Sequence, residues 1–362
     1  MKVIMAGGGT GGHLFPALAL AEEFRRRDKA IEVIFVGSSQ GMEKTLVPKY
    51  GYKLILLDVE AVKNRKGLGK IKPLLKAFKA TLNAMKLLKE LKPDGVIGSG
   101  AYSSGPVVLA ARLLGIKTAI LEQNVMPGLT NRVLGKIVHR VYISFEESEG
   151  YFPKRKTLLT GNPIRKDVLM AKGHLKKKAK DKFNIFVFGG SQGATAINAA
   201  FLDATEYLID IWNSINVVHQ TGKEGYAMAE AAYSRKGLRV ELSTFIEDMA
   251  TKYSESDLVI GRAGATTIAE ITAMGLPSIL VPYPFASDNH QEANAKTLEK
   301  KNAAIMIRQS DLTGSSLAAA IRKLYEDKVE FNKIKQAVQA LGRPNAAEDA
   351  ADDYFDMLEG EA

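Results

Sequence analysis

Five glycines occupy six positions between 7 and 12, broken only by Thr10, and the next residue is His13. Glycine at that density lets backbone approach a ligand closely, and a helix that follows offers unpaired N–H groups to an anion. His13 stands at the start of that expected helix, where imidazolium is disfavoured. Its ring is therefore expected to be neutral near pH 7 and able to accept a proton. The loop also fits Gly-x-Gly-x-x-Gly through Gly7, Gly9 and Gly12. A dinucleotide site wants, in addition, an acidic residue about 20 positions on, at the tip of the second strand. Here the second apolar run, 31–36, ends in Gly37-Ser38-Ser39. The nicotinamide reading fails its second requirement.

Other stretches repeat the pattern of strand, small residues and helix. Gly189-Gly190-Ser191-Gln192-Gly193 follows the apolar run 184–188, and Ser191 there either meets a ligand or only caps the next helix. After the run 257–260 comes Gly261-Arg262-Ala263-Gly264-Ala265-Thr266-Thr267-Ile268-Ala269-Glu270. This segment should open a helix with Glu270 within about its first turn. Such a carboxylate can hold a diol, while the N–H groups before it face phosphate, or it can simply complement the helix dipole. Gln291 and Asn294, three apart, share a helix face and could read sugar hydroxyls. In the first half, 98–106 is another small-residue turn, and Glu122, Gln123 and Asn124 stand at a strand's end. Glu122 is either a catalytic carboxylate or a cap on the following helix. No Asp-x-Asp follows a strand, and the five histidines show no ligand spacing, so no protein-held metal is expected.

These residues need elements to position them, and the apolar pattern supplies a regular series. Strands alternate with helices almost throughout, which implies parallel sheet with helices on both faces. The alternation breaks near 160–165 and resumes at 184, so the chain reads as an α/β protein of two doubly wound halves. The expected boundaries are 1–161, 162–342 and a terminal helix from 343 to 362 that packs back across the domains. Ligand should bind in a cleft between the carboxyl ends of the two sheets. A length of 362 residues suits two such cores. The absence of cysteine excludes disulfides and thiolate catalysis. No leader is expected, because the N-terminus runs straight into a strand, and no apolar run reaches the length of a membrane span.

Charge is distributed unevenly. Residues 1–160 carry 26 Lys and Arg against 13 Asp and Glu, whereas the remainder carries 24 against 27. The excess is concentrated in 63–92, a field able to attract nucleic acid, an anionic membrane or a phosphorylated substrate. No nucleic-acid reading motif accompanies it. The helix expected over 71–91 has an apolar stripe and a lysine face. Before it, Asn64-Arg65-Lys66-Gly67-Leu68-Gly69-Lys70-Ile71 sets apolar tips among cations, a pattern suited to shallow insertion into an anionic bilayer surface.

Taken together, Gly-Gly-Thr-Gly-Gly-His (8–13), Glu-Gln-Asn (122–124), Gly-Asn-Pro-Ile-Arg (161–165), Gly-Gly-Ser-Gln-Gly-Ala (189–194), the 264–270 segment and the Gln291/Asn294 loop occur in order. In this the chain resembles the peptidoglycan N-acetylglucosaminyltransferases of glycosyltransferase family 28, over essentially its whole length. The resemblance implies a GT-B fold of two Rossmann-like domains. It also implies inverting transfer of N-acetylglucosamine from its UDP donor to undecaprenyl-pyrophosphoryl-N-acetylmuramyl pentapeptide (lipid I), with no cofactor, peripherally at the cytoplasmic membrane face. Carried over by motif, Thr10, Gly11, Gly12 and Asn124 contact the donor, and Arg165 and Ser191 meet diphosphate or sugar. Ile246 resembles the position whose backbone reads uracil. The resemblance further implies that Ala265, Thr266, Thr267, Ile268 and Ala269 surround the diphosphate, that Glu270 holds the ribose, and that Gln291 reads the sugar. His13 is the expected general base, with Glu122 the second candidate, and Arg165 and Arg262 are expected to offset charge on the leaving UDP. Two residues depart from the family pattern: Leu121 where histidine is common, and Ala101 where glycine often precedes Tyr102. A GT-B enzyme with another lipid acceptor, a GT-B-like sugar-nucleotide epimerase and a nucleic-acid-binding protein are the alternatives.

Overall fold

Apolar runs such as Val3-Ile4-Met5-Ala6 and Ile185-Phe186-Val187-Phe188 are buried on both sides, as strands inside a parallel sheet must be. A computed structural model describes residues 1–38, 41–57, 71–172, 182–190 and 192–360, with side chains in the helix at 71 described from 76 onward. It divides into two units, Met1–Arg165 with Pro344–Ala362, and Lys166–Arg343. Asn162 to Arg165 thus belong to the first unit. The two-unit parallel α/β architecture expected from the sequence is the one observed. Ser191 and the 64–70 loop lie outside the described residues.

In the first unit β1 (Lys2–Ala6), β2 (Glu32–Gly37), β3 (Lys53–Leu56), β4 (Gly95–Gly98), β5 (Lys117–Glu122), β6 (Arg140–Ile143) and β7 (Thr157–Leu159) form one sheet. Its order is β3-β2-β1-β4-β5-β6-β7, and every neighbouring pair is parallel. Alternation along the strands divides the core in two. Val3, Met5, Val33 and Phe35 pack with Leu14, Leu20 and Phe24 of helix α1 (Gly11–Arg27), while Ile4, Ala6, Ile34 and Val36 pack on the other face. That second face is covered by α3 (Ile71–Leu91) and α4 (Ala101–Leu113); α2 (Glu43–Lys49) and α5 (Leu129–Leu134) complete the series. The terminal helix, α14 (Ala346–Glu359), returns to the first unit and lies on α1. It is pinned there by Asp353, which accepts hydrogen bonds from Tyr142 (2.8 Å) and from Nε of Arg140 (3.0 Å).

The second unit repeats the plan with β8 (Phe183–Phe188), β9 (Ile215–Gln220), β10 (Glu241–Ser243), β11 (Leu258–Gly261), β12 (Ser278–Leu280) and β13 (Ile305–Met306), in the order β10-β9-β8-β11-β12-β13. The helices of this unit are α6 (Lys166–Ala171), α7 (Thr195–Tyr207), α8 (Lys223–Arg235), α9 (Met249–Glu255), α10 (Ala265–Met274), α11 (His290–Lys300), α12 (Gly314–Glu326) and α13 (Lys328–Leu341). In each sheet the strand order reverses beside the first strand, at β1/β4 and at β8/β11. The loops leaving these neighbours diverge to opposite faces and open a crevice at the carboxyl ends of the strands. That is where the candidate residues lie.

Candidate functional site

The crevice of the first unit is lined by the loops after β1, β4 and β5. α1 begins at Gly11, so His13 sits inside its first turn. Thr10 is the N-cap and its carbonyl accepts from the N–H of His13 and of Leu14. Thr10 and Gly12 are exposed and Gly11 is half-buried. The glycine run owes its path to a residue the sequence did not flag, Glu43 of α2, which is fully buried. One carboxylate oxygen accepts from Gly9 N–H at 2.7 Å and the other from the N–H and hydroxyl of Ser38, both at 2.9 Å. A Cβ on Gly8 would stand 2.3 Å from that carboxyl carbon. The glycine therefore makes room for the Glu43 carboxylate.

Nδ1 of His13 lies 3.1 Å from the Ser99 carbonyl and 3.1 Å from Oε1 of Gln123, bringing residues from the three loops together. Gly100 permits this approach: it has φ +96°, and a Cβ there would be 2.6 Å from Nδ1. Glu122 is 2 % exposed. Its oxygens accept from Asn124 N–H at 2.9 Å and from Asn131 Nδ2 at 2.9 Å. Burial pushes its carboxyl up to about 7, against the opposing pull of these donors. Those bonds make Glu122 the anchor of the loop that carries Asn124. Arg165 places its guanidinium over the Phe15 ring of α1, 5.2 Å from the centroid, and so joins the first unit's crevice. Leu121 points into the core beneath the crevice.

In the second unit Gly189 and Gly190 follow β8, and Gln220, at the end of β9, ties the loops together. Its Nε2 donates to Gly190 carbonyl at 3.0 Å and its Oε1 accepts from Ile246 N–H at 2.7 Å. The backbone N–H of Ile246 is thus engaged within the unit. α10 starts at Ala265 behind Gly264, an N-cap with no side chain to cap the first turn. Ala265 and Ile268 are buried, and Thr266, Thr267 and Ala269 half-buried. Glu270 falls early in the second turn, just beyond the expected first, and accepts from the Tyr253 hydroxyl at 2.9 Å. Gln291, at the start of α11, accepts from Tyr283 N–H at 3.0 Å. Asn294 is buried and donates to the Ala263 carbonyl at 3.3 Å, so it fastens α11 to the loop before α10. Arg262 is likewise spent internally, on the carbonyls of Val281 and Pro282 and on Gln309. Among the described residues no group of three or more His, Cys, Asp or Glu could hold a metal ion.

The glycosyltransferase family 28 N-terminal domain matches residues 3–143, and the family's C-terminal domain matches 184–353. With the two parallel sheets, these matches define a glycosyltransferase of GT-B fold. A UDP-N-acetylglucosamine–N-acetylmuramyl-(pentapeptide) pyrophosphoryl-undecaprenol N-acetylglucosamine transferase of Myxococcus xanthus is 45% identical over 360 residues, covering 99% of this chain and 93% of the relative. The Citrifermentans bemidjiense protein of the same description is 46% identical, covering 96% and 97%. The crystal structure of Acinetobacter baumannii MurG superposes with a TM-score of 0.79 at 33% identity, covering 97% of this chain and 98% of that one. The chain belongs to the family of these N-acetylglucosamine transferases. A UDP-N-acetylglucosamine 2-epimerase structure from Listeria monocytogenes shares the fold, with a TM-score of 0.72, at 14% identity.

Proposed function

We propose that the protein transfers N-acetylglucosamine from UDP-N-acetylglucosamine to the 4-hydroxyl of the N-acetylmuramyl residue of lipid I, giving lipid II, by one inverting and metal-independent displacement. His13 accepts the proton of the acceptor hydroxyl as its oxygen bonds to the anomeric carbon, and the bond to UDP breaks. The second unit holds the nucleotide: the carbonyl of Ile246 faces the base, Glu270 the ribose, and the uncapped first turn of α10 (Ala265 to Ala269) the diphosphate. Ser191 and Arg165 contribute to the diphosphate or sugar. Thr10, Gly11, Gly12, Asn124 and Gln291 bound the sugar. Glu122 acts by holding Asn124.

The observation that carries this reading is the placement of His13 at the β1/β4 reversal, inside a glycine-fed helix turn, in a chain whose relatives share this transferase description over nearly full length. The test is purified protein given UDP-N-acetylglucosamine with lipid I or with diacylglycerol. Lipid II should form with β configuration and in the presence of a chelator. His13→Ala should lower kcat by roughly 10²-fold or more with donor KM nearly unchanged. Turnover of the nucleotide sugar without acceptor would instead indicate an epimerase.

The same reading places the protein on an anionic membrane surface. No described helix is long and apolar enough to cross a membrane. On α3, Phe78 and Leu82, one turn apart, are 63% and 49% exposed, and Leu113 of the adjoining α4 is 63% exposed. Lys76, Lys79, Lys86 and Lys89 share α3 with them. Apolar side chains among cations suit shallow seating in an anionic bilayer. Phe78→Asp with Leu82→Asp should reduce sedimentation with phosphatidylglycerol vesicles several-fold. Unchanged sedimentation would remove this surface from the proposal.

A further inference from the structure

We propose that Gln123 is a positioning residue that fixes the tautomer of His13, holding the proton on Nδ1 and the lone pair on Nε2. This deepens the reading of His13 as general base and rests on it. The argument begins at the Ser99 carbonyl, which can only accept. Nε2 of Gln123 lies 2.9 Å from it, so the amide must turn its NH₂ toward Ser99 and its oxygen away. That oxygen then stands 3.1 Å from Nδ1 of His13, and the Ser99 carbonyl stands 3.1 Å from the same nitrogen. Nδ1 therefore meets two acceptors and no donor among these partners, and must carry a hydrogen. In the neutral ring the lone pair falls to Nε2.

The arrangement is built to resist exchange. Gln123 and Ser99 are each 1 % exposed, which keeps water from replacing either partner. The opposite tautomer would turn a nitrogen lone pair toward two oxygens and forfeit both bonds in a dry setting, where unmade hydrogen bonds are costly. Histidine in water favours the proton on Nε2, so the site reverses the ring's own preference. The choice of an amide also has a consequence for charge. A carboxylate at position 123 would also accept from Nδ1–H, but it would set its second oxygen against the Ser99 carbonyl and would stabilise imidazolium, whose Nε2 cannot accept a proton. Glutamine orients the ring without charging it.

The test is ¹⁵N NMR on full-length protein labelled at histidine, with the His13 signals identified by their loss in His13→Gln. The wild-type ring should be the Nδ1–H tautomer. Gln123→Met, which keeps side-chain length and removes both polar groups, should shift the ring toward Nε2–H. Its kcat should fall by at least about 10-fold with donor KM within twofold, a loss bounded by the ~10⁴-fold cost of a wrong tautomer in the serine-protease triad. Gln123→Glu should restore Nδ1–H and move the acid limb of the kcat profile to higher pH, an effect that a packing role alone would not produce. An Nε2–H ring in the wild type overturns the proposal, and that measurement needs no variant to fold. An unchanged tautomer in Gln123→Met, or a changed tautomer with unchanged kcat, overturns it as well. If His13→Ala keeps its turnover while the Gln123 variants shift the tautomer as stated, the base assignment is what fails.

Discussion

Glu122 is a buried carboxylate whose two oxygens are both engaged by amide donors, and the balance between these facts can be measured. Its folded pKa, about 7, lies above the value near 4.5 expected in the unfolded chain. Between those values the folded state binds more protons, so this group's contribution to stability falls as pH rises from about 4.5 to 7 and is fully lost above that window. The full swing is on the order of 3 kcal/mol. Glu122→Gln is less stable outright, because its NH₂ must face a donor, either Asn124 N–H or Asn131 Nδ2. The informative quantity is the pH slope. Urea unfolding at pH 5 and pH 8 should show the wild type losing stability relative to the variant as pH rises. His219, buried and pushed down to about 4, loses stability in the opposite sense as pH falls, so only the difference between the two proteins isolates Glu122. A difference that does not change with pH would mean that the carboxylate is already ionised at pH 5.

Among the elements, the start of α4 carries the clearest strain. Ala101, its first residue, has φ +62°, a left-handed conformation that costs a side-chain-bearing residue about 1 kcal/mol. The resemblance had marked Ala101 as a departure from a common glycine, and the backbone supplies the reason for that glycine. Ala101→Gly should raise stability by up to about 1 kcal/mol, partly offset by the unfolded-state entropy of glycine, and Tm by a few degrees, read by thermal unfolding. A lowered Tm would mean that the methyl contributes more than the strain costs. The same elements show what the sequence made legible. Strands such as Val3-Ile4-Met5-Ala6 announce themselves because burial on both faces requires an unbroken apolar run. The start of α1 at Gly11 did not, because glycine is a poor helix former and tertiary contacts had to impose the first turn. Glycine-rich turns and His13 were visible as types in a spacing. Glu43, Gln220 and the link from His13 to Gln123 were not, since those hydrogen bonds join residues 34, 26 and 110 positions apart.

At the scale of the whole molecule, chain order and spatial order part company at the C-terminus. The family's C-terminal domain runs in sequence to residue 353, yet α14 packs on the first unit, so that unit is completed only by the last segment of the chain. Tyr354 is the centre of that closure. It is fully buried, its ring lies 5.7 Å from that of Phe24 on α1, and its hydroxyl reaches the backbone at Gly95, where a Cβ would stand 2.1 Å away. Removing the ring leaves a cavity between α1, α14 and β4, and Tyr354→Ala should cost about 3–5 kcal/mol. The hydroxyl contributes differently, because it is buried with no hydrogen-bond partner among the described residues. Burying it costs desolvation that no bond returns, so Tyr354→Phe should be neutral or stabilising by up to about 1 kcal/mol. Chemical denaturation of the two variants separates the contributions: the alanine should lose the first unit's transition at much lower denaturant, while the phenylalanine holds or gains. A phenylalanine variant destabilised by more than about 1 kcal/mol would show that the hydroxyl has a partner and that the last helix is held to the first unit by polar as well as apolar contact.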